Sequence, residues 1–263
     1  MRSSAILLLA LPLMFFSDKQ AYDIVLIVGQ SNTFSGKGYD AKVDVGSPLV
    51  KQLGRIGTHN MRAIPALEPL ENHTPMAGYI GFPLVFGRLY AQKYLTKKRK
   101  VLLIPCGMGS TGFFTHYWNR GDTLYNDAVK RTKYALQLDG GNRLVAILWQ
   151  QGEADVAGKG YQQRLDSMIV NMRRDITGHQ QTPFFLGGMV PAWAGADADR
   201  WHVQQVIAGA PKRIANTYYV NPYFPTVITT SNQGADQVHY DAPAQRALGG
   251  RYFALYDSLF RHP

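Results

Sequence analysis

The chain has 263 residues, 46% hydrophobic and 17% charged, enough to bury a large core in one globular unit. Its 28 Lys and Arg against 18 Asp and Glu leave a net charge of +10, which favours anionic partners such as acidic glycans. No basic stripe interleaved with aromatics accompanies that surplus, so nucleic acid is not an expected partner, and the single cysteine, Cys106, excludes an internal disulfide and a cysteine-based zinc site.

The chain opens with Arg2 and then an apolar run over residues 5–16, the n- and h-regions of a secretory signal. The expected division is a signal peptide over residues 1–21, with Ala21 before the cut, and one domain over residues 22–263, exported to the periplasm or secreted. The alternative is an apolar segment docked on the fold. No later apolar run is long enough to span a membrane in the mature chain.

Asp23-Ile24-Val25-Leu26-Ile27-Val28-Gly29-Gln30-Ser31-Asn32 then reads as a strand buried on both faces that runs into a tight polar turn. Residues 33–75 are rich in Gly, Pro, His and Asn without sustained periodicity, a long loop expected to overhang a site. A helical rhythm covers residues 84–94, and the basic run Lys97-Lys98-Arg99-Lys100 reads as a solvated connection. A second buried strand over residues 101–105 opens into Cys106-Gly107-Met108-Gly109-Ser110-Thr111-Gly112. Helix 124–138 stops at Gly140-Gly141. Strand 144–149 leads into Gln150-Gln151-Gly152-Glu153-Ala154-Asp155. Helix 161–176, strand 183–190, helix 199–210, strand 218–220 and a closing helix 242–259 complete the chain, the last preceded by Asp236-Gln237-Val238-His239. Short apolar strands alternating with helices predict an α/β fold, a three-layer α/β/α sandwich around a central parallel sheet.

In such a sheet the strand ends lie on one edge, so the clusters at Ser31, Gly109, Gln151 to Asp155, and Asp236 to His239 converge. Acyl transfer needs a nucleophile, a base, a group orienting the base, and donors for an oxyanion. Ser31 is the candidate nucleophile; the alternative is that it caps the next helix. Asp236 and His239, three apart, place a carboxylate beside an imidazole. Glu153 and Asp155 are further carboxylates at a strand end, where helix capping is the plain alternative. Gly107, Gly109 and Gly112 allow close backbone approach to a ligand. They also satisfy the dinucleotide fingerprint, but Phe113-Phe114-Thr115-His116-Tyr117-Trp118 does not resemble a phosphate-binding helix, and no acidic residue ends the following strand. No cofactor is expected. Thr33 in place of a second glycine disfavours the nucleophile elbow of α/β-hydrolases.

Gly29-Gln30-Ser31-Asn32, Gly109-Ser110-Thr111, Trp149-Gln150-Gln151-Gly152-Glu153-Ala154-Asp155 and Asp236-Gln237-Val238-His239 together resemble the ordered blocks of the SGNH hydrolase superfamily. The closer resemblance is to its sialate O-acetylesterase and carbohydrate esterase family 6 (acetylxylan esterase) branch. The resemblance implies a flavodoxin-like sheet and a metal-independent serine esterase that removes O-acetyl groups from carbohydrate through an acetyl-serine intermediate. Ser31 would be the nucleophile and His239 its base. The Ser31 and Gly109 amides would form the oxyanion hole, with Gln151 as a side-chain donor. The wider superfamily carries an asparagine in its third block, and this chain has none there. The acid partner of His239 is Asp236 by the superfamily pattern and Glu153 by the branch assignment; Asp236 is the expected partner, with Glu153 as a second acid or a structural support. Tyr117, Trp118, Trp193 and Trp201 would suit stacking on sialic acid or on xylan. A non-catalytic glycan-binding protein on the same fold is the alternative from another class.

Overall fold

The computed structural model describes residues 20–95, 98–138, 140–232 and 236–260. The expected signal segment therefore lies outside the described residues except for its last two. Five fully buried residues, Ile24 to Val28, make β1 (Ala21–Gly29) the centre of the structure. A single 3-10 turn follows it, and the chain then contributes β2 (Gly36–Lys37), β3 (Val50–Leu53), β4 (Ala63–Pro65) and β5 (Tyr79–Ile80). α1 (Phe82–Tyr94) begins with proline in its first turn, where a missing N–H costs nothing. Then come β6 (Arg99–Pro105), α2 (Thr123–Gln137), β7 (Arg143–Gln150), α3 (Tyr161–Thr177) and β8 (Phe184–Gly187). α4 (Pro191–Gly195), α5 (Ala198–Gly209), β9 (Thr217–Val220) and α6 (Ala242–Phe260) end the fold.

The main sheet runs β4-β3-β6-β1-β7-β8-β9. Every pairing is parallel except the β3–β4 edge, while β2 and β5 form a separate antiparallel pair. The predicted α/β architecture is present, with two departures. β3 and β4 fall inside the stretch expected to be irregular. β3 is only four residues long and β4, the edge strand, only three, too short to leave a periodic signal. Strand β8 is shorter than expected because Gly188 turns away; a side chain there would collide with Pro222.

Asp23, with no exposed surface, pins the far end of β1. It accepts from Arg99 Nε and Arg143 Nε, both at 2.8 Å, and from the Tyr90 hydroxyl at 2.7 Å. One carboxylate thus joins three adjacent strands to α1. Arg99, expected in a solvated connection, belongs to this cluster instead. Burial works to raise the Asp23 pKa, but hydrogen bonds from Arg143, Tyr90 and Arg99 outweigh it, and the net shift is downward. A depressed carboxylate stabilises the fold above its unfolded pKa and loses that contribution as pH falls through the folded value. We expect Asp23→Asn to cost about 3 kcal/mol, the lower end for a broken buried pair because Arg143 remains largely in solvent. Urea denaturation of both proteins from pH 7 down to pH 3 should show the gap narrowing as the wild-type carboxylate is protonated.

Candidate active site

The carboxyl end of β1 stops at Gly29, whose φ of +126° suits glycine and whose missing side chain lets the Gln150 carbonyl approach. Gln30 donates its N–H to that carbonyl at 2.9 Å, which locks the turn to β7. Ser31 starts a 3-10 turn of three residues and caps no helix through its side chain. Its hydroxyl instead meets His239 Nε2 at 2.9 Å, while His239 Nδ1 meets Asp236 Oδ1 at 2.9 Å. A carboxylate oxygen only accepts, so Nδ1 carries the proton and Nε2 is free to accept from Ser31. Ser31 is buried, whereas the His239 and Asp236 side chains keep 29% and 54% of their surface exposed.

Of the two candidate acids, Asp236 is the one that reaches the imidazole. Glu153 Oε1 instead accepts from Asn32 Nδ2 at 2.6 Å. Burial pushes the Glu153 carboxyl up. Asp155 is also committed elsewhere: it accepts the Phe113 and Phe114 N–H groups at 2.9 and 3.1 Å and so fastens the turn after Gly112.

Gly109 lies beside the serine, close enough that a side chain there would touch Ser31 Cβ at 3.9 Å. The strand-end turn carrying it is tied down by Met108 N–H to the Gly29 carbonyl and by Gly107 N–H to Asn72 Oδ1. The segment after it is irregular until α2, unlike a dinucleotide-binding helix. Gln151 departs from expectation. It is fully buried, and its Nε2 donates to Asp155 Oδ2 at 2.7 Å and toward the Thr111 carbonyl at 3.4 Å, so the structure does not bring this donor to Ser31. The reason is the buried carboxylate four residues on, which competes for the amide better than an open cleft does.

Two recesses meet at Ser31 and His239. The smaller, about 250 Å³, is lined by Phe34, Ser35, Thr74, Met76, Tyr79 and Gly109. The larger, about 550 Å³, is lined by Gln30, Thr115, Glu153, Ala154, Trp193 and Val238. The long loop therefore does border the site, through Phe34, Ser35 and Thr74. Neither lining contains Lys or Arg. Arg200 stacks on Trp193 at 4.3 Å. Trp118 is core rather than a stacking surface: it is fully buried, edge-on to Trp149 at 5.3 Å, and donates to Thr111 Oγ1. A separate recess of about 560 Å³ near Val43, Leu49, Arg88 and Arg246 holds neither Ser31 nor His239. Among the described residues no three His, Cys, Asp or Glu side chains group as a metal site requires. The residues that sequence reasoning missed are the lobe-lining Phe34, Met76 and Tyr79, which lack periodicity, and Asn32, visible in the Gly-Gln-Ser-Asn turn but given no role.

The family of carbohydrate esterases described as sialic acid-specific acetylesterases matches residues 21–258. The chain belongs to this family. A probable carbohydrate esterase of Arabidopsis thaliana is 32% identical over 101 residues, a match spanning 37% of each chain. A probable 9-O-acetyl-N-acetylneuraminic acid deacetylase of Escherichia coli strain K12 is 25% identical over 223 residues, covering 65% of this chain and 68% of the relative. The crystal structure of NanS superposes with a TM-score of 0.80 at 19% identity, covering 93% of this chain and 99% of that one, which supports a shared fold.

Gly112 offers a direct check of the turn that carries Gly109. A Cβ there would overlap the Asp155 carboxylate. Gly112→Ala should lower the unfolding free energy by about 1–3 kcal/mol through overpacking. A thermal melt indistinguishable from wild type would show that Asp155 is not wedged against this turn.

Proposed function

We propose that the protein is a serine esterase that removes O-acetyl groups from carbohydrate. The observation that carries this reading is the continuous relay from Ser31 Oγ through the imidazole of His239 to Asp236 at hydrogen-bonding distances. Ser31 Oγ attacks the acetyl carbonyl as its proton passes to His239 Nε2. The Ser31 and Gly109 amides, adjacent across the cleft, receive the oxyanion. The tetrahedral species collapses to acetyl-serine, and the sugar oxygen leaves with the proton from His239. Water, activated by the same imidazole, then releases acetate and restores Ser31.

Family membership and the E. coli relative support an O-acetylated sialic acid as the sugar. One observation favours a neutral sugar such as acetylated xylan instead: among the described residues the linings of both lobes include carboxyl groups but no Lys or Arg to meet a carboxylated sugar. A non-catalytic glycan binder would have no use for the Ser31–His239 contact. The apolar segment ahead of residue 20 supports export, so the substrate is proposed to be met outside the cytoplasm.

Acetate release from 4-nitrophenyl acetate, O-acetylated sialic acid and acetylated xylan separates these readings. Ser31→Ala should lower kcat by at least about 10³-fold while the fold survives. Retained turnover would remove the mechanism. Asp236→Asn should cost about 10²-fold, less than the roughly 10⁴-fold at a buried triad aspartate, because water can reach this exposed pair.

A further inference from the structure

The residue beside the nucleophile bonds to both neighbours of the histidine. Asn32 has no exposed surface. Its Nδ2 donates to the Val238 carbonyl at 3.0 Å, and its Oδ1 accepts from the Tyr240 N–H at 3.0 Å. The other Nδ2 hydrogen goes to Glu153 Oε1 at 2.6 Å. Both donors and one lone pair are therefore used, and the partners fix the facing of the amide. Turned over, it would set oxygen against the Val238 carbonyl and NH₂ against an N–H. The Asn32 carbonyl accepts from Gln245 Nε2 at 3.1 Å, and Gln245 Oε1 takes the Phe82 N–H at 3.0 Å, so the turn is also tied to α6 and α1.

Glu153 backs the amide from the 3-10 turn after β7. Its Oε2 is buried and has no hydrogen-bond partner among the described residues. Burial disfavours its charge and outweighs the backbone and Asn32 hydrogen bonds and the nearby His239, so the net shift is upward. Among the described residues its one side-chain hydrogen bond comes from Asn32, while the imidazole Nδ1 is met by Asp236.

We propose that Asn32, backed by Glu153, is a positioning residue that sets the Ser31–His239 contact by clamping the backbone on both sides of His239. The inference rests on the esterase reading above. Ser31 and His239 lie 208 residues apart, and Asp236, on the solvent side, orients the ring without anchoring its loop to the serine. Asn32 is the link between the two that lies inside the protein. A displacement of about 1 Å at the reacting atoms is enough to cost about 10²-fold in rate.

Asn32→Asp keeps the shape but replaces the donor facing Val238 with an acceptor. On 4-nitrophenyl acetate its kcat should fall about 10²-fold with KM little changed. Labelling of Ser31 by a fluorophosphonate, which needs the imidazole in reach but no particular sugar, should slow by a similar factor. Glu153→Leu should be impaired in the same way, and Glu153→Gln, which retains the acceptor, should recover most of the rate. Wild-type kcat and labelling in a folded Asn32→Asp protein would overturn the clamp. So would Glu153→Gln as slow as Glu153→Leu at equal thermal stability, because that outcome makes the charge of Glu153 the working feature. If Asn32→Asp fails to fold, the Glu153 pair decides alone. Ser31→Ala, run alongside, separates the two levels. Ser31-independent hydrolysis by the wild type removes the esterase reading, whereas Ser31-dependent hydrolysis at full rate in Asn32→Asp removes only the clamp.

Discussion

A strand buried on both faces and paired on both edges can place polar side chains only at its ends. β1 is such a strand, with parallel partners β6 and β7 and five consecutive residues of zero exposure. Its polar residues accordingly fall at Asp23, where three strands are pinned together, and at Gln30 and Ser31, where the backbone breaks out of the sheet. Because the partners are parallel, their own breaks at Cys106 and Gln151 come out beside Ser31. The convergence of chemistry on one edge follows from that packing.

What parallel pairing does not supply is the base. His239 comes from the loop before α6, which contributes no strand to the sheet, and reaches Ser31 only because the loop is held. Asn32 grips the residues before and after the histidine, Asn232 Nδ2 donates to the His239 carbonyl at 2.7 Å, and Asp241 accepts from the Ala244 N–H at the start of α6. The Asp236 carboxylate is half exposed, whereas Asn32 has no exposed surface, so the loop is held from inside while Asp236 meets the imidazole at the solvent side.

The net charge of +10 suggests a cationic surface built for anionic sugars, but part of it is used internally. Arg173 is fully buried and donates to the carbonyls of Thr182 and Ala215. Arg131, also buried, donates to the Leu53 carbonyl at 3.0 Å, and Arg55 pairs with Asp127 at 2.9 Å. The two buried arginines satisfy backbone carbonyls that would otherwise be orphaned in the interior, and Arg55 neutralises a carboxylate. A sum over the sequence therefore overstates the charge available to a ligand, and among the described residues neither lobe of the site has a Lys or Arg in its lining.

The order of strands and helices, the parallel sheet, and Ser31, Gly109, Asp236 and His239 as neighbours on one edge were legible in the chain itself. Apolar runs, glycine stops and blocks of polar residues are local patterns, and local patterns carry that much. The short strands β3 and β4 at one end of the sheet were not legible, because three or four residues are chosen by their partner rather than by their own periodicity. The three-residue spacing already favoured Asp236 over Glu153 as the partner of His239, but that Glu153 turns toward Asn32 instead is set only by the tertiary fold. Gln151 and Trp118 were misjudged because residue type says what a side chain is able to bond, not which partner takes it: Asp155, four residues on, holds the amide, and Thr111, seven residues back, holds the indole. The sequence by itself determined which chemical groups would gather at the carboxyl edge of the sheet. The tertiary structure alone decided which of them face the reacting serine, because that depends on competition among buried hydrogen-bond partners brought together from distant segments.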